Sequence, residues 1–285
     1  MKMSNRQFKI MAIGFISVWM AIFAALPLLL TFLLSLFKPS TTQVVVPHLT
    51  LHNYVDAFHY LYIRIFLHSM LWAVFTTVLC LVVAYPFAYA MAKMPSKYRA
   101  LSLLLIMVPF WTSSLIRTYA MMTIIKAKGL LNHCLIALHI IHAPLQILYT
   151  PVAVEIGLVY TLLPFMILPL YANLEKFDWR LVEAARDLGA TPWTSFSKVV
   201  LPVSMPGIVS GVLLVFLPSI TLFYIPEVLG GAKSFLLGNL IKYQFLDGSN
   251  WPLGAAMSTL LLLFLLLMIG LYRLRHQRKN AGLFV

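Results

Sequence analysis

Six long stretches of the chain are nearly free of charged residues, and short basic clusters separate them. An α-helix rises about 1.5 Å per residue, so about 20 apolar residues cross a hydrocarbon layer roughly 30 Å thick. The stretches at about 10–36, 66–92, 100–125, 147–171, 203–226 and 253–272 reach that length. Lipid offers no partner to backbone N–H and C=O groups, so runs of this kind predict helices. The expected fold is therefore an all-α integral membrane protein of six transmembrane helices, forming a single domain over 1–285. Pro27, Pro86, Pro109, Pro164 and Pro218 fall inside the runs and predict kinks packed against other protein. The first run follows Lys2, Arg6 and Lys9. It is too long for the apolar core of a signal peptide and reads as a retained helix.

Composition agrees with this pattern. Hydrophobic residues make up 61% of the chain and charged residues 10%, against roughly a quarter charged in a soluble domain. Lys and Arg number 21 against 8 Asp and Glu, but they are scattered between the apolar runs and form no patch for nucleic acid. Their placement instead sets topology. Lys2, Arg6, Lys9, Lys93, Lys97, Arg99, Lys176, Arg180, Arg186, Lys198, Arg273, Arg275, Arg278 and Lys279 share one side of the membrane. Lys38, Arg64, Arg117, Lys126, Lys128, Lys233 and Lys242 share the other. The richer side is expected to be cytoplasmic, with both termini on it. Cys80 and Cys134 make no disulfide framework. His48, His52, His59 and His68 match no zinc spacing, so no metal is expected. The stretch 127–146, with His133, His139 and His142, reads as a half-buried external hairpin.

The loop 172–202 is long, polar and helix-forming. In it Leu181, Ala184, Ala185 and Leu188 recur at i, i+3, i+4 and i+7, a narrow apolar stripe. Gly189 permits the left-handed residue that ends a helix. Thr191 and Pro192 fit the cap and first position of a second one. A helix-turn-helix beside the membrane follows. Glu183-Ala184-Ala185, three residues, Gly189, nine residues, then Val199-x-Leu201-Pro202 resembles the EAA loop of ABC importer permeases, with Val199 in place of the family's isoleucine. The resemblance implies that Glu183, Ala184, Ala185, Gly189, Leu201 and Pro202 belong to coupling helices that dock on a separate ATPase.

The likeness extends along most of the chain. Val108 through Arg117, Gly157 through Tyr160 with Leu163 through Met166, Ile225 through Gly231, Asp247 through Pro252 and Leu49 through Tyr54 look like the spermidine/putrescine importer permeases of the PotB type. This implies a bacterial cytoplasmic (inner) membrane location, a polyamine substrate, two ATP-binding subunits, a second homologous permease and an extracytoplasmic substrate-binding protein. The sequence contains no G-x-x-x-x-G-K-[ST] phosphate loop, so ATP and Mg are expected on the partner ATPase and the chain itself is expected not to be an enzyme.

Polycations are held by carboxylates and by aromatic faces. Glu227, in the family-like Ile225-Pro226-Glu227 stretch, is a candidate for the substrate path, with pairing to Lys233 as its structural alternative. Trp111, Tyr160 and Tyr224 are aromatic candidates, competing with a role as interfacial anchors. Glu155 lies within the fourth span and receives no role from the resemblance. The embedded acids also admit a self-contained secondary transporter or channel for an organic cation, although no internal repeat is evident.

Overall fold

The computed structural model describes residues 5–40, 45–231 and 235–281. In chain order, α1 (Asn5–Met20) runs through a π turn at Ala21–Ala25 into α2 (Leu26–Ser35), and strands β1 (Phe37–Lys38) and β2 (Val46–Leu49) follow. Next come α3 (His52–Ala57), α4 (Tyr60–Lys93), α5 (Ser96–Met107) with a 3-10 turn at Val108–Trp111, α6 (Ser114–Ile125) and α7 (Leu130–Ala137). The chain continues with α8 (Pro151–Leu174), α9 (Arg180–Asp187), α10 (Pro192–Ser195), a π turn at Phe196–Val200, and α11 (Leu201–Thr221). It ends with α12 (Tyr224–Gly230), α13 (Leu237–Leu246) and α14 (Trp251–Ala281).

The chain divides into two compact units, one made of residues up to Arg64 and from Leu240, the other of Ile65–Asn239. In the first, α2 and α3 pack on α14. Buried Asn53 on α3 donates to the carbonyls of Ser35 and Phe37, both at 2.8 Å, and so closes the C-terminus of α2. The short antiparallel pair β1–β2, with Phe37 opposite Leu49, adds a hairpin that the apolar pattern did not predict.

The second unit is built on α8. Half of its most apolar window is buried, 50% against 0% for the first span, which identifies α8 as the centre of its unit. One side of α8 faces α4 and α11 through Cys80, Ala84, Ala88, Met91, Leu162, Met166, Leu170 and Val215. The small residues Ala73, Thr77, Cys80, Ala84 and Ala88 recur every three or four positions on α4 and are all buried, so its backbone approaches closely. Ala153, Val154 and Leu158 form a second cluster with Ile225 and Leu229 of α12. The most extensive helix contact joins α8 and α11. Gly207 lies in it, four residues before Gly211. A Cβ on Gly207 would come within 2.8 Å of Asn173 Cβ and 3.0 Å of the Pro169 carbonyl oxygen.

Among the described residues, five helices are long and apolar enough to span a membrane, or six if the bent pair Ser96–Trp111 and Ser114–Ala137 counts as one span. The third span is therefore not the continuous helix expected over 100–125. Its two limbs meet at 94°. Pro109 cannot donate to the preceding turn, the helix tightens to 3-10 geometry, and Thr112 and Ser113 are extended. The fifth span departs in a similar way from 203–226. It begins earlier, at Pro192, and stops at Thr221. Leu222 is extended, and the chain restarts as α12. The expected hairpin at 127–146 contains α7, whose buried Asn132 bonds to the carbonyls of Lys126, Ala127 and Leu145 and accepts from the Leu145 N–H.

Because backbone and Asn173 Cβ line the space beside Gly207, Gly207→Val must push α11 away from α8. Overpacking of this kind costs about 1–3 kcal/mol. The thermal midpoint of the detergent-solubilised protein should fall, whereas Gly14→Ala, with nothing within 4 Å of the added carbon, should not lower it.

Candidate functional site

The loop 172–202 folds as the helix-turn-helix expected of it. Asp178 Oδ1 accepts the Arg180 N–H at 3.1 Å and opens α9. At the other end Gly189 has φ 84°, its N–H reaches the Arg186 carbonyl at 2.8 Å, and the Ala190 N–H reaches the Ala185 carbonyl at 3.0 Å. This pair of reversed bonds is the Schellman closure, which needs a left-handed residue at its centre. Nothing lies within 4 Å of where a Cβ would sit on Gly189. Glycine serves there for backbone freedom, not for space. Thr191 Oγ1 then accepts the Thr194 N–H at 3.2 Å, with Pro192 in the first turn of α10. The second helix does not stop, however. Through the π turn at Phe196–Val200 it continues into α11, carrying Leu201 and Pro202 along the start of the fifth span.

The helix α9 is held by a residue outside its apolar stripe. Val182 is buried against the core formed with Phe177, Met91 and Leu174, while Leu181, Ala184, Leu188 and, on α10, Trp193 are exposed. Leu188 is 89% exposed, too much for a residue that serves only the interior of this chain. Glu183 is also exposed, and Ala185 is half-buried.

Under the loop lies an aromatic seat that hydropathy did not reveal. The ring of Tyr89 on α4 meets Trp179 edge-on at 5.4 Å and Phe196 at 6.3 Å. Tyr85 meets Phe196 at 5.6 Å, and its hydroxyl lies 2.9 Å from Ser204 Oγ. Phe177 packs edge-on to Trp179 at 5.0 Å. Lys93 Nζ sits 4.5 Å from the Tyr89 ring centroid and 5.0 Å from that of Trp179, cation–π distances. The sequence signal was the spacing of Tyr85 and Tyr89, one turn apart near the basic end of a span.

The four path candidates occupy three elements that all meet α8. Trp111 ends the 3-10 turn and is 80% exposed, and its neighbour Phe110 packs on Phe165 of α8 at 5.2 Å. Tyr160 projects from α8 itself and is exposed. Tyr224 and Glu227 lie on α12, which packs on α8. Tyr224 is half-buried beside Phe223, and Glu227 is exposed. Lys233, the alternative partner considered for Glu227, lies outside the described residues. Glu155 is buried on α8. Thr76 Oγ1 donates to its Oε2 at 3.1 Å, and its Oε1 has no hydrogen-bond partner.

Comparison with known proteins adds the family. The model described as "Binding-protein-dependent transport system inner membrane component" matches residues 84–280. The chain is 45% identical to the spermidine/putrescine transport system permease protein PotB of Haemophilus influenzae over 98% of both chains. It is 46% identical to PotB of Escherichia coli K12 over 89% of this chain and 92% of that one. A crystal structure of a bacterial alginate ABC transporter, in complex with an alginate pentasaccharide-bound periplasmic protein, contains a chain of the same fold. Its TM-score is 0.74 at 16% identity, covering 93% and 92% of the two chains.

The aromatic seat generates a test of its own. Edge-to-face ring pairs contribute about 0.5–1.5 kcal/mol each, and Tyr89 makes two. Tyr89→Leu should therefore loosen the loop and speed tryptic cleavage after Lys176 and Arg180, measured by timed proteolysis in detergent. Tyr98→Leu, at an exposed ring, should leave the cleavage rate unchanged.

Proposed function

Because the chain belongs to the binding-protein-dependent transport system inner membrane components, as an ABC importer permease of the PotB type, we propose that it imports polyamines, spermidine or putrescine, using ATP hydrolysed by another subunit. The whole of 1–285 acts as one permease domain and supplies half of the translocation path, with a second homologous permease supplying the rest. Two ATP-binding subunits, carrying ATP and Mg, bind on the cytoplasmic side, and an extracytoplasmic binding protein delivers the substrate. Both termini face the cytoplasm. Near-complete alignment with polyamine permeases supports the substrate, and the missing phosphate loop supports a separate ATPase.

The observation that carries the coupling role is the exposed row Leu181, Ala184 and Leu188 on a helix fixed at both ends. Apolar side chains in that position gain by covering, and the alanine lets a partner approach closely. Glu183, Ala184, Ala185 and Gly189 form the docking element. Leu201 and Pro202 lie where its motion enters the fifth span. Coupling requires an element that both sites bias, and the unbroken passage from α10 into α11 offers one. On the path side, Glu227 meets substrate ammonium groups, and Trp111, Tyr160 and Tyr224 offer ring faces.

Measurements in the complete, reconstituted complex test this reading. Burying a leucine contributes roughly 1.5–3 kcal/mol, so Leu188→Asp should weaken ATPase-subunit binding by at least about tenfold. Gly189→Val forces a left-handed β-branched residue and should uncouple hydrolysis from uptake, whereas Gly189→Asn should be tolerated. Normal binding and stimulation in both Leu188→Asp and Gly189→Val would sink the coupling role. Glu227→Gln should raise the KM for spermidine with assembly intact. Gradient-driven accumulation by the purified chain alone would instead identify a secondary transporter.

A further inference from the structure

A bend of 94° inside a spanning segment needs something to hold its angle. The limbs of the third span are joined only by the extended residues Thr112 and Ser113, and the Ser113 side chain does not cap α6. Thr112 Oγ1 donates to the Pro109 carbonyl at 2.8 Å, a bond that stays within the first limb and its exit. A cation–π contact crosses the bend. Arg117, in the first turn of α6, places its guanidinium carbon 5.2 Å from the ring centroid of Phe110 on the other limb. Phe110 in turn meets Phe165 of α8 edge-on at 5.2 Å and 85°.

We propose that Arg117 is a positioning residue for substrate passage: its guanidinium, laid across the bend on Phe110, fixes the angle between the limbs and so the place where Trp111 presents its ring. This rests on the reading of Trp111 as a substrate contact. Trp111 follows Phe110 directly and is 80% exposed, so its ring is located through the backbone it shares with Phe110. Arg117 is not held by an acid. Among the described residues no carboxylate pairs with it, and its Nε is buried without a hydrogen-bond partner. Among the described residues its guanidinium lies over the Phe110 ring, and a planar guanidinium stacks well on such a face.

Charge supplies a sign test. A cation close to a polycation's path repels it, so removing that charge alone would tighten substrate binding and lower KM. Loss of positioning acts in the opposite direction. In the complete complex, Arg117→Met and Phe110→Leu should each raise the KM for spermidine by on the order of fivefold to tenfold, the scale of a partly desolvated cation–π contact. Phe110→Tyr keeps the ring and should stay near the parent value. Arg117→Lys keeps the cation but not the plane and should fall between. The double variant Arg117→Met with Phe110→Leu should fall short of the product of the single effects, because both remove the Arg117–Phe110 contact.

A second readout does not depend on transport. With Cys80→Ser and Cys134→Ser as background, a cysteine introduced as Trp111→Cys is labelled with a membrane-impermeant maleimide. Adding Arg117→Met or Phe110→Leu should change the labelling rate at least about threefold. Phe110→Tyr should not change it. Labelling indifferent to Arg117, or additive effects in the double variant, would overturn the brace; a lowered or unchanged KM in Arg117→Met, with Trp111→Leu raising KM, would overturn its role in substrate passage. If labelling responds but Trp111→Leu leaves KM unchanged, the brace stands and the substrate role of Trp111 fails. Should Arg117→Met not assemble, Arg117→Lys and Phe110→Leu carry both measurements.

Discussion

An amide group left without a partner in hydrocarbon costs several kcal/mol, and the architecture is organised around that cost wherever a helix is interrupted. Three interruptions are closed by a buried asparagine. Asn53 takes the carbonyls of Ser35 and Phe37 where α2 ends. Asn132 bonds to three carbonyls and one N–H across the turn between α6 and α8. Asn239 donates to the Phe223 carbonyl at 2.9 Å, in the gap between α11 and α12. One side-chain amide carries both donors and an acceptor, so it can replace the helical ladder at a break without adding charge. The break at Thr112 uses a hydroxyl in its place. Irregular backbone is tolerated because each of these breaks has a side-chain partner of its own.

Much of this was legible in the sequence and some was not, for physical reasons. Apolar length located the spans because hydrocarbon thickness fixes it. Gly189, Thr191 and Pro192 announced the turn in the loop because backbone conformation and capping act over a few residues. The bend at Thr112 and the gap at Leu222 were not legible. Pro109 and Pro218 marked both neighbourhoods, but a proline can either kink a helix or end it, and distant partners such as Asn239 decide which. The aromatic seat of Tyr85, Tyr89, Trp179 and Phe196 draws on three segments far apart in the chain. No local pattern contains it.

Burial also separates the two kinds of acidic residue. Glu155 is enclosed, with Thr76 as its only hydrogen-bond donor among the described residues, whereas Glu227 is exposed on a short helix. The apolar pattern of the spans treats them alike. Their surroundings do not: α4 closes over one, while α12 carries the other outward beyond Leu222.

The passage from α10 through the π turn into α11 forms one helical shaft, Pro192–Thr221. Each residue of such a shaft turns the next by about 100°. Trp193 near one end and Gly207 within the bundle must therefore keep a fixed rotational phase. A single inserted or deleted residue between them would swing the exposed end to another side of the helix while leaving composition and hydropathy untouched. The wide turn at Phe196–Val200 already accommodates one departure from regular winding. The length of this part of the chain is accordingly as much a constraint as the side chains it carries.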